Sequence, residues 1–141
     1  MYYVNREQIA VRLQVIPDLS QALQSLAAEW SGSMMEGLAQ ERALHLAIEI
    51  VTDVGNYLID GFVMRDASSY EDILEITGEE GVYPKELEAT FVELVKLRKP
   101  LVQEYHNWPR AELHSMTSDL AQQLLIFKSS VESYIKRELN E

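Results

Sequence analysis

Hydrophobic positions recur every three to four residues along most of the chain, and no stretch alternates with the period of two that a half-buried strand needs. Ile9, Leu13, Ile16, Leu19, Leu23 and Leu26 predict a first helix from about Asn5, a good N-cap residue, to about Trp30. Pro17 falls inside that pattern, and its ring and missing N–H predict a kink or a split. Ser31-Gly32-Ser33 closes the segment. A second helix is expected from about Met34 to Ile59. Leu38, Leu46, Ile50, Tyr57 and Leu58 line one side of it, and Leu44, Ile48, Val51 and Ile59 another. Two apolar faces need two covers, so this helix belongs at the centre of the fold.

Gly61 and the polar run Arg65 to Ser69 read as a loop. Ser69-Tyr70-Glu71-Asp72 resembles a capping box, opening a short helix to about Thr77 that Gly78 ends. Gly81 and Pro84 bracket a turn, with Pro84 near the first position of the next helix. That helix carries Leu87, Phe91, Leu94, Val95 and Leu97. Pro100 must kink or end it, because its ring clashes with the carbonyl of Lys96. Pro109 is expected to open the last helix, with Leu113, Leu120, Leu124, Phe127, Val131 and Ile135 on one face. The expected fold is all-α: an up-and-down helical bundle of four main helices plus a short helix, with residues 1–141 as one domain.

Composition narrows the function. At 47% hydrophobic residues the chain has enough apolar material for a core, and no apolar run approaches the ~20 residues of a membrane span. No signal peptide is expected, since the first residues lack an apolar region. The absence of cysteine removes disulfides, zinc–thiolate sites and thiol nucleophiles, and fits a cytoplasmic protein. A formal net charge of -11 repels phosphate backbones, which argues against coating nucleic acid broadly but leaves room for a local basic cleft. Lys96, Arg98 and Lys99 are the densest basic cluster, although basic residues at a helix C-terminus also simply complement its dipole.

That cluster runs into Arg98-Lys99-Pro100-Leu101-Val102-Gln103-Glu104-Tyr105, which sets a guanidinium, an amide and a phenol around a proline. Upstream, Glu41, His45, Glu49, Asp53, Asn56 and Asp60 make a polar stripe at spacings of three and four on the second helix. Such a stripe either faces solvent or lines a cleft. In a cleft, Asp53 or Glu49 would hold Arg98 in place. Neither Glu41/His45 nor Glu112/His114 matches the Glu-x-x-His spacing of carboxylate-bridged di-metal bundles, so His45 reads as a hydrogen-bonded helix histidine and no metal is expected. Trp30, Met34 and Met35 read as packing or interface residues. No phosphate loop, dinucleotide fingerprint, nucleophile elbow or zinc-protease motif is present, and no cofactor is expected.

Glu41 to Glu49 continuing through Asp53-Val54-Gly55-Asn56, then Asp60-Gly61-Phe62, Tyr70-Glu71-Asp72-Ile73 and Leu97 to Val102, together resemble the HepT-like branch of the HEPN superfamily over most of the chain. The resemblance implies a helical homodimer in which two motif segments face each other across a cleft. It implies a metal-independent endoribonuclease of a toxin module, paired with a nucleotidyltransferase-like antitoxin. The family motif is Arg, four residues, His, one residue, Tyr. Here the Arg is Arg98 and the Tyr is Tyr105, but the His position is Gln103.

In the family's division of labour the Arg stabilises charge on the scissile phosphate and the His moves a proton at the ribose 2′-hydroxyl. Arginine binds phosphate in a bidentate fashion and stays charged, whereas histidine titrates near neutrality. Glutamine can orient a substrate but cannot shuttle a proton, and losing general acid–base help costs roughly 100- to 10,000-fold. His106, three residues on, is a candidate substitute; Glu104 is a poorer one. The resemblance also makes Tyr105 a site of AMP addition by the antitoxin, against the plainer reading of an aromatic at the edge of the core. The rival expectation is a HEPN-fold scaffold that has lost its base and binds a nucleotide, an RNA or a protein.

Overall fold

In the computed structural model, which describes residues 2–141, the described residues form seven α-helices and no strand. They are α1 (Arg6–Leu13), α2 (Ile16–Glu29), α3 (Met34–Gly61), α4 (Tyr70–Glu79), α5 (Glu88–Lys96), α6 (Arg98–Val102) and α7 (Thr117–Glu138). Short 3-10 turns cover Lys85–Leu87 and Tyr105–Asn107. The all-α bundle expected from the sequence is present, and α3 packs against every other helix.

Three of the four prolines fall at or near helix starts for local reasons. Pro17 sits in the first turn of α2, where a missing N–H costs nothing, and the expected kink is a full break after Leu13. Pro84 precedes the 3-10 turn that leads into α5. Pro100 occupies the third position of α6, a new helix begun at Arg98 after α5 stops at Lys96. The short helix passes Gly78 and ends in a Schellman motif. Gly81 there takes φ +77°, the Val82 N–H donates to the Thr77 carbonyl at 3.0 Å, and the Gly81 N–H donates to Gly78 at 3.1 Å.

Two caps differ from expectation. Ser33 and Glu36 form a complete capping box at the start of α3, and the Glu36 carboxylate also accepts from the Ser31 N–H and hydroxyl. Those bonds hold the Glu36 carboxyl down at about 2. At α4 only half a box forms: Ser69 accepts from the Asp72 N–H. The Asp72 carboxylate instead takes a bidentate Arg65 at 2.8 and 2.9 Å and the Ser68 N–H, which pulls it far below the usual carboxylate range.

The last helix does not begin at Pro109 as expected. Residues 108–116 are an extended and turned segment, and α7 starts at Thr117. The cause lies on α3. Buried Gln40 accepts from the His114 N–H and the Thr117 hydroxyl, both at 2.8 Å, and donates to the Glu112 carbonyl at 3.0 Å. Satisfying a buried amide this fully holds the backbone of 112–117 open against the helix it would otherwise prefer.

The core is continuous around α3. Leu44, Ile48, Val51, Val54 and Leu58 are completely buried, and Tyr83, Phe91 and Phe127 meet edge to face or tilted at 5.1–6.0 Å. The Tyr83 hydroxyl donates to the Leu74 carbonyl, and burial pushes its pKa up. Leu38, expected on a buried side of α3, is instead 47% exposed and lines a surface hollow with Leu101. Among the described residues, no helix is long and apolar enough to cross a membrane.

Gly37 lets the 108–116 segment close onto α3, since a Cβ there would collide with the Arg110 carbonyl and side chain. Gly37→Ala is therefore expected to cost about 1–3 kcal/mol by forcing the segment outward. Chemical denaturation against the wild type measures this, and an unchanged midpoint would show that the segment yields freely.

Candidate functional site

The polar stripe of α3 is not a solvated strip. Its first four members are partly buried, and each of the three carboxylates among them meets an arginine from a different element. Glu41 pairs with Arg110 of the 108–116 segment. His45 Nε2 lies 3.3 Å from Glu49 Oε1, and its Nδ1 lies 3.3 Å from Arg42 Nη1. Glu49 Oε1 also lies 3.7 Å from Arg98 Nε of α6. Asp53 accepts from Arg12 Nε of α1 at 3.1 Å. Asn56 and Asp60 face solvent.

Of the two carboxylates expected behind Arg98, Glu49 is therefore the one beside it. Asp53 serves Arg12 instead, whose guanidinium also bonds the Gln8 side chain and carbonyl and lies over the Tyr57 ring. The reason is reach. Glu49 stands one turn nearer the N-terminus of α3, on the stretch that α6 crosses, while α1 packs along the stretch holding Asp53.

Arg98 owes its position to two contacts. Its guanidinium carbon sits 4.4 Å from the centre of the Tyr70 ring, a cation–π arrangement that fixes the plane of the group. Its Nε is buried, and at 3.7 Å the Glu49 oxygen attracts it as a charge without completing a hydrogen bond. The side chain as a whole is 30% exposed, so the Nη end reaches the surface. There Arg98, Lys96, Lys99, Gln103, Tyr70 and Glu71 line an open hollow of about 260 Å³. Lys96 is tied to Glu93 at 3.0 Å; Lys99 has no carboxylate partner among the described residues.

The break at Leu97 makes this hollow. It redirects the chain so that Arg98, Lys99 and Gln103 lie on a short helix laid across α3, with Leu101 as its buried anchor. Gln103 caps α6 through its backbone N–H to Lys99 at 2.8 Å and leaves its side chain exposed.

Tyr105 and His106 follow in the 3-10 turn, both exposed, with their rings edge to face at 5.8 Å. No hydrogen bond or ion pair joins either to Arg98 within the chain. Arg110 donates to the Tyr105 carbonyl at 3.1 Å and so fastens the turn to Glu41. Tyr70 was legible only as part of a capping sequence, because nothing local signals that its ring meets an arginine 28 positions away.

His114 belongs elsewhere. Its ring stacks on Trp108 at 5.7 Å, and its Nδ1 accepts from the Met116 N–H at 3.1 Å. Burial pushes its pKa down, and the Nδ1 contact fixes the neutral tautomer with its proton on Nε2.

An all-helical bundle with an arginine, followed by a glutamine and a tyrosine, presented on a proline-bearing helix beside an acidic helix defines the HEPN type of protein. The Ribonuclease HepT-like family model matches residues 12–131, and the chain belongs to that family. It is 35% identical over 139 residues to the Bacillus subtilis (strain 168) protein described as "Putative RNase YutE", covering 99% of this chain and 95% of that one. Its fold matches the solved structure of YutE from Bacillus subtilis, described as a cytosolic protein of unknown function. That match has a TM-score of 0.90 and 33% identity, and covers 100% of this chain and 97% of the other.

The Tyr70–Arg98 contact should be measurable in a double-mutant cycle of stability with Tyr70→Leu and Arg98→Met. A coupling of about 0.5–1 kcal/mol is expected, and Tyr70→Phe should keep it; additive effects would mean the stacking carries no energy. His114 gives a pH signature. Its folded pKa lies below the unfolded value near 6.5. Its contribution is therefore complete above that value and is lost as the pH falls through the lower, folded one. His114→Asn keeps an acceptor for Met116 and should flatten the melting temperature between about pH 7 and pH 5; an unchanged slope would place the acid sensitivity elsewhere.

Proposed function

We propose that this protein is a metal-independent endoribonuclease that works as a homodimer. Arg98, Gln103 and Tyr105 of each subunit would line a shared cleft. Family membership supports the reaction class. The seat of Arg98 carries the reading: on a chain of net charge -11, one arginine is held by Tyr70 and Glu49 with its outer nitrogens free, beside unpaired Lys99. A phosphodiester is the natural occupant of such a hollow.

The apolar surface nearby supports the dimer. Leu38 and Leu101 line one hollow, Met34 and Met35 stand a turn before Leu38, and exposed Val102 and Tyr105 follow Leu101. Met35 is 77% exposed, an expensive place for a thioether unless a second surface covers it.

In this reading Arg98 stabilises the charge that develops on the phosphate, Gln103 orients the ribose, and His106 gives a proton to the departing 5′-oxygen. Tyr105, 59% exposed, presents its hydroxyl for AMP addition by a nucleotidyltransferase-like antitoxin encoded alongside, which would block the cleft.

One observation favours a second reading. Gln103 stands where the family motif has its histidine, so the protein would be a disarmed scaffold that binds RNA, a nucleotide or a protein partner without cutting. Cleavage of a mixed-sequence RNA by the purified protein separates the two. The first reading expects cutting that Arg98→Ala reduces by roughly 100- to 1,000-fold, the usual value of one charge-stabilising donor. An inert wild type that gains Arg98-dependent cutting on Gln103→His would establish the scaffold. Cutting indifferent to Arg98→Ala would refute the site.

A further inference from the structure

If the protein cuts RNA, its motif supplies no base, because Gln103 cannot accept a proton. The chain has three histidines. His114 is stacked under Trp108 with its Nδ1 engaged by the Met116 N–H, and it lines a different hollow with Leu97, Met116 and Gln123. His106 stands exposed beside Tyr105, with no polar contact to Arg98 within the chain. His45 also lines a hollow other than that of Arg98, with Leu38, Arg42 and Leu101, but it shares a single carboxylate oxygen, Glu49 Oε1, with the phosphate-binding arginine.

We propose that His45, seated by Glu49 beside Arg98, is the base that replaces the missing motif histidine in RNA cleavage. The inference rests on the ribonuclease reading above. Its chemistry follows from the contacts on the two ring nitrogens. Arg42 can only donate, so Nδ1, 3.3 Å from its Nη1, is the acceptor and the basic atom, and the proton of the neutral ring sits on Nε2, 3.3 Å from Glu49 Oε1. A carboxylate on the far side of an imidazole also stabilises the imidazolium formed when the ring takes a proton.

Nδ1 faces Arg42, an exposed residue with no carboxylate partner among the described residues. A phosphodiester drawn in by Arg98 offers Arg42 a charged acceptor in place of a neutral nitrogen, a stronger bond. That exchange uncovers Nδ1 in the hollow lined by Leu38, Arg42, His45 and Leu101, into which an RNA strand held by Arg98 would have to extend. His45 Nδ1 then takes the proton of the ribose 2′-hydroxyl, and the 2′-oxygen forms a bond to the adjacent phosphorus. The bond from phosphorus to the 5′-oxygen breaks, and that oxygen takes the proton of the His106 imidazolium. The products are a 2′,3′-cyclic phosphate and a 5′-hydroxyl, with no metal and no redox step.

The geometry of α3 makes the arrangement rigid. Arg42, His45 and Glu49 stand at spacings of three and four on one face of a 28-residue helix whose middle, from Ala43 to Ile59, is otherwise largely buried. A base on such a helix is held more firmly than one on the exposed turn that carries His106.

The test uses the full-length protein and a fluorescein-labelled single-stranded RNA, with cutting followed by gel and binding by anisotropy. His45→Gln is the informative variant, since its amide still donates to Glu49 but moves no proton. Both His45→Gln and His45→Ala should cut roughly 100- to 10,000-fold more slowly with unchanged RNA affinity and unchanged melting temperature. Gln103→His should restore cutting in the His45→Ala background by returning a base to the motif. A His45→Gln protein that cuts at the wild-type rate, while Arg98→Ala does not cut, would overturn the assignment and leave the ribonuclease reading standing. A wild type that cuts no faster than Arg98→Ala would bring down the ribonuclease reading, and the role of His45 with it.

Discussion

A helix that must be covered on two sides, yet carries a row of ionisable groups on a third, constrains everything else in this fold. The apolar faces of α3 fix it at the centre. Its row of Glu41, His45, Glu49 and Asp53 is then trapped close to the surface of the packed helices, where a carboxylate without a partner is costly. Each of the three carboxylates is answered by an arginine from another element: Arg110 at Glu41, Arg98 at Glu49 and Arg12 at Asp53. Through these pairs α3 sets where α1, α6 and the 108–116 segment come to rest. Exposed surface pairs rarely contribute much stability, so their value lies in register more than in energy.

The arginine of the motif illustrates the point. Arg98 is one member of this series, answering Glu49 much as Arg12 answers Asp53. Two features set it apart. An aromatic face lies under its guanidinium, and its Nε lacks a complete hydrogen bond. Arg12 and Arg110 are spent on structure, while Arg98 keeps hydrogen-bonding capacity in reserve at the mouth of a hollow. The physical difference between Arg98 and the arginines paired at Glu41 and Asp53 is one of saturation.

The sequence made some of this legible and hid the rest. Helix spacing is a local signal, so the bundle, the central place of α3 and the breaks at Pro17 and Pro100 could all be read directly. The polar stripe could be read too, but its partners could not: arginines 12, 98 and 110 come from separate elements, and only packing decides which acid each one meets. Asp53 was the carboxylate expected behind Arg98, with Glu49 the other candidate, but α1 claims Asp53 and leaves Glu49 beside the arginine. The segment after Pro109 has helix-friendly residues and a suitable first position, yet it stays open because Gln40, some seventy residues earlier, binds its backbone. His45 looked like an ordinary helix histidine, since the carboxylate it shares with Arg98 becomes visible only once α6 is laid across α3.

The distance along the chain between Glu49 and Arg98 bears on synthesis. Glu49 leaves the ribosome about fifty residues before Arg98, a delay of roughly 3–10 s at ordinary translation rates. Tyr70 emerges within that interval, and Arg110, which ties down the Tyr105 turn, follows it. The arginine therefore meets its ring and its carboxylate only when most of the polypeptide exists, and the 105–107 turn is fastened later still. A nascent chain carries every earlier part of the bundle but no assembled seat for Arg98, so the hollow beside that arginine exists only in the nearly finished polypeptide.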